Sequence, residues 1–402
     1  MNLSASQAHP LRAILAGEWY APARQPGPAA IHLAGGRIST IESGASQPPG
    51  AGVLDARDGL VVPGLVDLQV NGALGASFQA SDRDRFVEVI DYHLRQGTTS
   101  LLPTLVTAPA EILLDSLAAL SAFIKQPMPA GLPGIHLEGP FLSPEKRGAH
   151  DPAALRLPDL PLMERFLAAS ADCIKMVTLA PELPGALELV SRLSAAGLVV
   201  SAGHTAASFR QLQAAVSAGL SFATHLGNAS DWPHREQNDH GFMGSEPGLV
   251  GSFMALPELS GSVIMDGFHF HPALLKPLVQ LKGQSKVLLV SDASTVTGLP
   301  PGVHAGGGLV AEVHPAGFAT SGRGGGWLAG SIITLLQAVQ RAVGLAGLPL
   351  EQALHMASLG PAELLGLSGR KGSLHPGADA DLLILNPDLS LRHVIAGGVQ
   401  IN

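Results

Sequence analysis

The chain reads as an α/β protein: a (β/α)8 TIM-type barrel with a small β domain built from both chain ends. Three observations predict this. Eight short apolar runs have the length of buried strands, at residues 64–70, 98–105, 134–137, 174–179, 198–202, 222–224, 262–265 and 286–290. Several intervening segments carry apolar residues at helical spacing, for example 85–94, 186–193 and 209–218. The two ends of the chain instead show short alternating runs separated by Gly and Pro, the pattern of small antiparallel strands.

Taken in order, residues 1–62 open with runs such as Ala30-Ile31-His32-Leu33 and Arg37-Ile38-Ser39-Thr40-Ile41. Residues 371–402 contain Asp381-Leu382-Leu383-Ile384-Leu385 and Leu391-Arg392-His393-Val394-Ile395. Termini often lie close together, so these two stretches are expected to form one composite β domain. Residues 63–370 are expected to form the barrel. After the last strand, 298–326 is too long for an ordinary loop and predicts a hairpin flap or a mobile lid. Helical patterns at 331–343 and 350–365 follow.

Composition narrows the function. Of 402 residues, 46% are apolar and 14% charged, enough for a large core, and the net charge is −8. No Lys/Arg cluster suits nucleic acid or a membrane surface. No run approaches the length of a membrane span, and the N-terminus makes a poor signal peptide, so a cytoplasmic location is expected. The single cysteine, Cys173, excludes an intrachain disulfide. It lies in a strand-like run and reads as a buried, inert thiol.

The chemistry lies in how the runs end. Glu138 follows His136-Leu137, His204 follows Ser201-Ala202-Gly203, His225 follows Ala223-Thr224, and Asp292 follows Val290-Ser291. Singly, each is weak evidence: a strand-end histidine is commonly structural, and an Asp before a helix is commonly an N-cap. Together they end the third, fifth, sixth and eighth strands on the rim where barrel active sites form. Two imidazoles and a carboxylate can hold one divalent cation, and a nearby carboxylate can move protons. The residues therefore predict a metal-dependent hydrolase.

The motifs also resemble a known family, the N-acetylglucosamine-6-phosphate deacetylases of the amidohydrolase superfamily. The resemblance rests on His136-Leu137-Glu138-Gly139-Pro140-Phe141, Ala202-Gly203-His204-Thr205, Thr224-His225-Leu226-Gly227-Asn228-Ala229, Asp266-Gly267-Phe268-His269 and Val290-Ser291-Asp292-Ala293, in that order. It implies that Glu138, His204 and His225 ligate one divalent metal per subunit, with Zn²⁺ the expected ion. Asp292 would be the general base, and His150 would touch the substrate and steady the oxyanion. The substrate would be a small N-acetyl amino sugar, contacted by Ala149, His150, Asn228, Ala229 and His269, and by Leu328, Ala329 and Gly330 ahead of a helix starting at Ser331. A homodimer is implied in the same way. Two-metal amidohydrolases carry His-x-His on the first strand; here it is Gln69-Val70-Asn71, whose amides are poor ligands, which favours one tightly held ion.

One departure weakens the match. Where the family has Arg-Glu-Pro-Gly, lent by the neighbouring subunit to the substrate phosphate, this chain has Ser245-Glu246-Pro247-Gly248. The preceding run, from Asp231 to His240, is longer than the family pattern. Three readings stay open: Arg235 or nearby histidines replace the charge, the substrate lacks a phosphate, or the segment is a solvated loop. An N-acetylgalactosamine phosphate, an unphosphorylated sugar or another amide are the alternative substrates, and a barrel that binds without catalysis is the non-enzymatic alternative. His240 and His271 read as surface or hydrogen-bonding residues.

Overall fold

Buried strands and capped helices alternate to build the barrel. The computed structural model describes residues 10–401 apart from 45–49, 80–81, 238–240 and 323–325. Eight parallel strands pair in chain order: Leu65–Val70, Thr98–Val106, Ile135–Glu138, Ile174–Leu179, Val199–Ala202, Phe222–Ala223, Ser260–Ile264 and Val287–Val290. A parallel bridge from Val70 to Ala293, just past the eighth strand, closes the ring. Helices cover the outside, which explains why the strands are apolar on both faces. Leu68, Leu102, Met176, Phe222, Ile264, Leu288 and Val290 form a separate cluster drawn from the strands alone and plug the barrel interior.

The helices begin where side chains cap them. Asp82 accepts from the Asp84 amide ahead of Arg83–Arg95, and Asp159 accepts from the Leu162 amide ahead of Leu160–Ser170. Ser208 with Gln211 forms a capping box at Phe209–Ser217, and Thr334 with Gln337 forms another at Leu335–Gly344. That second box corrects the expected helix start at Ser331. Residues 328–333 precede the helix without helical structure, and Ser331 bridges Ala293 just past the eighth strand. The pattern at 350–365 is two helices, Leu350–Ala357 and Leu359–Leu364, because Ser358 leaves helical geometry between them.

The stretch after the eighth strand is a three-stranded antiparallel flap of Gly302–Gly306, Leu309–Val313 and Ala319–Ser321. Cys173 sits one residue before its strand and is half-buried rather than buried. His271 caps helix Pro272–Lys282 through Nδ1, which accepts from the Ala273 amide. His240 lies outside the described residues.

Both chain ends share one seven-stranded sheet. Its order is Val399–Ile401, Leu391–Ala396, Leu382–Leu385, Val53–Pro63, Ala13–Trp19, Ala29–Ala34 and Arg37–Ser43. Ile14, Trp19, Ile31, Ile38, Val61, Leu382, Ile384 and Ile395 fill its core. Between sheet and barrel, Gly64 passes so close to the second strand that a Cβ there would meet Thr99 Oγ1 at 2.2 Å. Beside this junction Lys371 Nζ reaches Asp381 at 2.5 Å and Asp379 at 3.0 Å, all three largely buried. Burial pushes the Asp381 carboxyl up, against the opposing pull of the Lys371 ammonium.

Removing one partner of a buried pair leaves an uncompensated charge, at a cost of about 3–5 kcal/mol. Lys371→Ala is therefore expected to lower the urea midpoint by that equivalent. A loss below about 1 kcal/mol would class the pair with weak surface bridges.

Candidate metal centre

The site is built from residues that leave their strands at the same end of the barrel. Glu138 is the last residue of the third strand, while His204, His225 and Asp292 lie within two residues of the fifth, sixth and eighth. The last three share an unusual backbone: φ is 49° at His204, 33° at His225 and 48° at Asp292. Non-glycine residues seldom adopt this left-handed region, and each instance costs on the order of 1–3 kcal/mol. It turns each side chain sharply inward at the strand end.

Glu138 lies at the centre. Its Oε1 is 2.9 Å from His225 Nε2 and 3.4 Å from His204 Nε2, with all three side chains buried. Burial pushes the Glu138 carboxyl up, but the two imidazoles outweigh it and hold it well below the usual range. The His225 imidazole is lowered by burial and raised more by Glu138, for a net rise. Ligand atoms of Glu138, His204 and His225 all lie within 4.8 Å of one another. His204 Nδ1 donates to the Lys146 carbonyl at 2.9 Å, which orients the ring with Nε2 toward the cluster. Two imidazole nitrogens and a carboxylate oxygen fit a borderline divalent ion, and three protein ligands leave a coordination position open. The residues therefore fit one metal ion.

Around this cluster the remaining residues fall into two groups. His150 Nε2 stands 3.2 Å from His204 Nε2, and its Nδ1 is buried without a partner. Burial and then the His204 charge push His150 down to about 3, so it is neutral at physiological pH. Asp292 accepts from Asn71 Nδ2 at 2.7 Å. Its carboxyl is raised to about 6, by burial first and then by the Glu138 charge. Gly330 packs on the Asp292 carbonyl, with an added Cβ meeting it at 3.0 Å, and the Ala329 amide donates to Ala319 of the flap. Leu328 bridges Thr320 of the same flap. Asn228 Nδ2 donates to the His225 carbonyl, and the Ala229 carbonyl accepts from the Thr205 amide. His269 Nδ1 meets Asp266 Oδ2 at 2.6 Å. Ala149 sits in the loop that carries His150.

Arg235 stands apart from the cluster. It is exposed on a hairpin of His234–Gln237 and Met243–Glu246, where it pairs directly across from Ser245. Its guanidinium donates to the Met243 carbonyl at 3.2 Å.

Three contributors were missed by sequence reasoning. Asn71 binds the Asp292 carboxylate, although its side chain was considered only as a poor ligand. Asp266 accepts from the Phe268 and His269 amides and from the His269 ring, fixing that ring's tautomer. The Asp-x-x-His spacing could have signalled this. Lys146 orients His204 through a main-chain oxygen, which no side-chain pattern reveals.

Comparison with known proteins agrees with this geometry. The amidohydrolase family profile matches residues 60–401. The chain belongs to the amidohydrolase family. An N-acetylglucosamine-6-phosphate deacetylase from Danio rerio is 38% identical, covering 87% of this chain and 86% of its own. An N-acetylgalactosamine-6-phosphate deacetylase from Escherichia coli O157:H7 is 31% identical, covering 90% and 92%. Among solved structures, a mutant N-acetyl-D-glucosamine-6-phosphate deacetylase from Mycobacterium smegmatis, in complex with N-acetyl-D-glucosamine-6-phosphate, superposes with a TM-score of 0.88. It is 32% identical and covers 98% of this chain and all of its own. Within the amidohydrolases, a metal-dependent superfamily, this chain groups with the N-acetylglucosamine-6-phosphate deacetylases.

Glu138→Gln removes the anionic ligand and is expected to reduce bound divalent metal to well under half of the wild-type stoichiometry by elemental analysis. Wild-type stoichiometry in that variant would argue that the cluster is not the metal site.

Proposed function

We propose that this protein removes the acetyl group from N-acetylglucosamine-6-phosphate, giving glucosamine-6-phosphate and acetate. The observation that carries the reading is the buried Glu138–His204–His225 cluster beside an Asp292 carboxyl held near neutral range. Glu138, His204 and His225 would hold the ion, with Zn²⁺ favoured by the nitrogen and oxygen donor set. A bound divalent ion supplies Lewis acidity and makes water a stronger acid at neutral pH.

The protein groups perform the proton traffic. Asp292 accepts a proton from the attacking water and returns it to the leaving nitrogen, since an amine leaves poorly unprotonated. Neutral His150 offers its Nε2–H to the oxygen on which negative charge develops. His269, with its Nδ1 fixed on Asp266, presents Nε2 to the sugar. Asn228, Ala229, Ala149 and the 328–330 segment line the space around the sugar.

For the phosphate, Arg235 is the proposed contact. Directly opposed residues of an antiparallel pair share a face, so Arg235 supplies its charge on the face of Ser245. In this reading the hairpin reaches a neighbouring subunit, and the protein acts as a cytoplasmic homodimer. Among the described residues no helix is long and apolar enough to cross a membrane. The second reading, an N-acetylgalactosamine-6-phosphate substrate, is favoured by the similarity to the Escherichia coli protein of that name.

Acetate release should be strongest with N-acetylglucosamine-6-phosphate and weaker with N-acetylgalactosamine-6-phosphate or the unphosphorylated sugar. Equal rates with and without phosphate would dismiss the 6-phosphate reading. Arg235→Ala should raise KM about tenfold for the phosphorylated sugar, equal to a loss of ~1.4 kcal/mol, and leave the unphosphorylated one unchanged. Activity should fall as pH drops through about 6, where Asp292 takes up a proton and ceases to be a base. Asp292→Asn should lower kcat by about 10²–10⁴-fold with the fold retained by circular dichroism. A flat acid limb would remove Asp292 from the base role.

A further inference from the structure

Asn71 follows the first barrel strand, and the two ends of its side-chain amide have different fates. Nδ2 donates to Asp292 Oδ1 at 2.7 Å. Oδ1 is buried and has no hydrogen-bond partner. Charge decides which end faces Asp292: an ionised carboxylate only accepts, so the nitrogen must point at it. Among the described residues, no other donor reaches the Asp292 carboxylate. Buried acceptors are nearly always matched, and within the protein Oδ1 has no donor, so it is free to take one that the ligand brings.

The chemistry of the reaction says which donor. A nitrogen that Asp292 protonates must come within about 2.6–3.2 Å of one of its oxygens. Asn71 Oδ1 is joined through one carbon to the very nitrogen that holds Asp292. An acceptor therefore stands beside the place where the scissile nitrogen must lie. A secondary amide brings one N–H there, and Oδ1 can take it.

We propose that Asn71 recognises the scissile amide itself. Its Nδ2 fixes the Asp292 carboxylate, and its Oδ1 accepts the N–H of the substrate's acylamino group. This rests on the reading of the protein as an amide hydrolase. Water adds to the carbonyl carbon, with one of its protons passing to Asp292. The C–N bond then breaks, the electron pair stays on nitrogen, and Asp292 returns the proton to that pair. The original N–H stays on Asn71 Oδ1 throughout, which turns the developing lone pair toward Asp292. The products are a carboxylic acid and a primary amine, and no further reactant is needed. An oxygen ester has no such hydrogen, so its bridging oxygen would face Oδ1 lone pair to lone pair. Asn71 is thus a residue that selects amides over esters.

The test compares N-acetylglucosamine-6-phosphate with its 2-O-acetyl ester analogue, using wild type, Asn71→Leu and Asn71→Ser at equal metal content. Loss of the Nδ2 contact to Asp292 should slow both substrates alike. Loss of Oδ1 should add a penalty on the amide alone, so both variants should lose about tenfold or more in kcat/KM on the amide beyond their loss on the ester, the asymmetry expected when a buried polar group is matched by only one substrate. The serine variant keeps the comparison if the leucine variant does not fold. Equal losses on both substrates, or no loss on the amide, would overturn the inference and leave the deacetylase reading standing. If wild-type protein releases acetate from neither substrate, the functional reading falls and this inference falls with it.

Discussion

A carboxylate buried between two imidazoles organises this molecule. Glu138 sits on the rim of an apolar barrel, where a lone charge would be prohibitively costly. His204 and His225 make it tolerable, and each must leave its strand in left-handed backbone geometry to reach it. That strain persists only if the surroundings over-determine it. Here they do: the Lys146 carbonyl fixes His204, the Ser262 hydroxyl accepts from the His225 amide, and Ser331 accepts from and donates to the chain around Asp292.

The barrel interior beneath the cluster extends the same logic. His136 lies two residues from Glu138 and is wholly buried, with Nδ1 on the Leu68 carbonyl and Nε2 on Thr178 Oγ1. Thr178 passes the chain of hydrogen bonds to Thr224, and Thr224 to Ser201. These residues belong to the third, fourth, fifth and sixth strands or their immediate ends, so one polar string ties together the strands that deliver the cluster. Burial pushes His136 down to about 4, which keeps it neutral and the string uncharged. Polar networks of this kind rigidify a site when every member is satisfied.

Much of this was legible in the chain, for definite reasons. The strands were readable because burial on both faces demands unbroken apolar runs such as Val287–Val290. The cluster was readable because chemistry in a barrel collects at strand ends. The helix start at Ser331 was misplaced because Thr334 and Gln337 compete for the same role, and a capping box outweighs a small residue at the start of an apolar pattern. The bond from Asn71 to Asp292 was not readable because the two residues lie far apart in sequence and meet only where the first and eighth strands adjoin. Main-chain contributions such as the Lys146 carbonyl leave no trace in residue identity.

The shared sheet also dictates an order of assembly. Leu383 pairs with Val62, yet it is synthesised only after the entire barrel. Until then Val53–Pro63 presents an unpaired edge, and Leu60 through Pro63 have no neighbour on that side. Such exposed strand edges invite wrong pairing in a nascent chain. The clasp of the final strands onto the first can form only once the whole barrel has been synthesised. A chain released early would hold a complete ring of barrel strands with its entrance strand left open to aggregation.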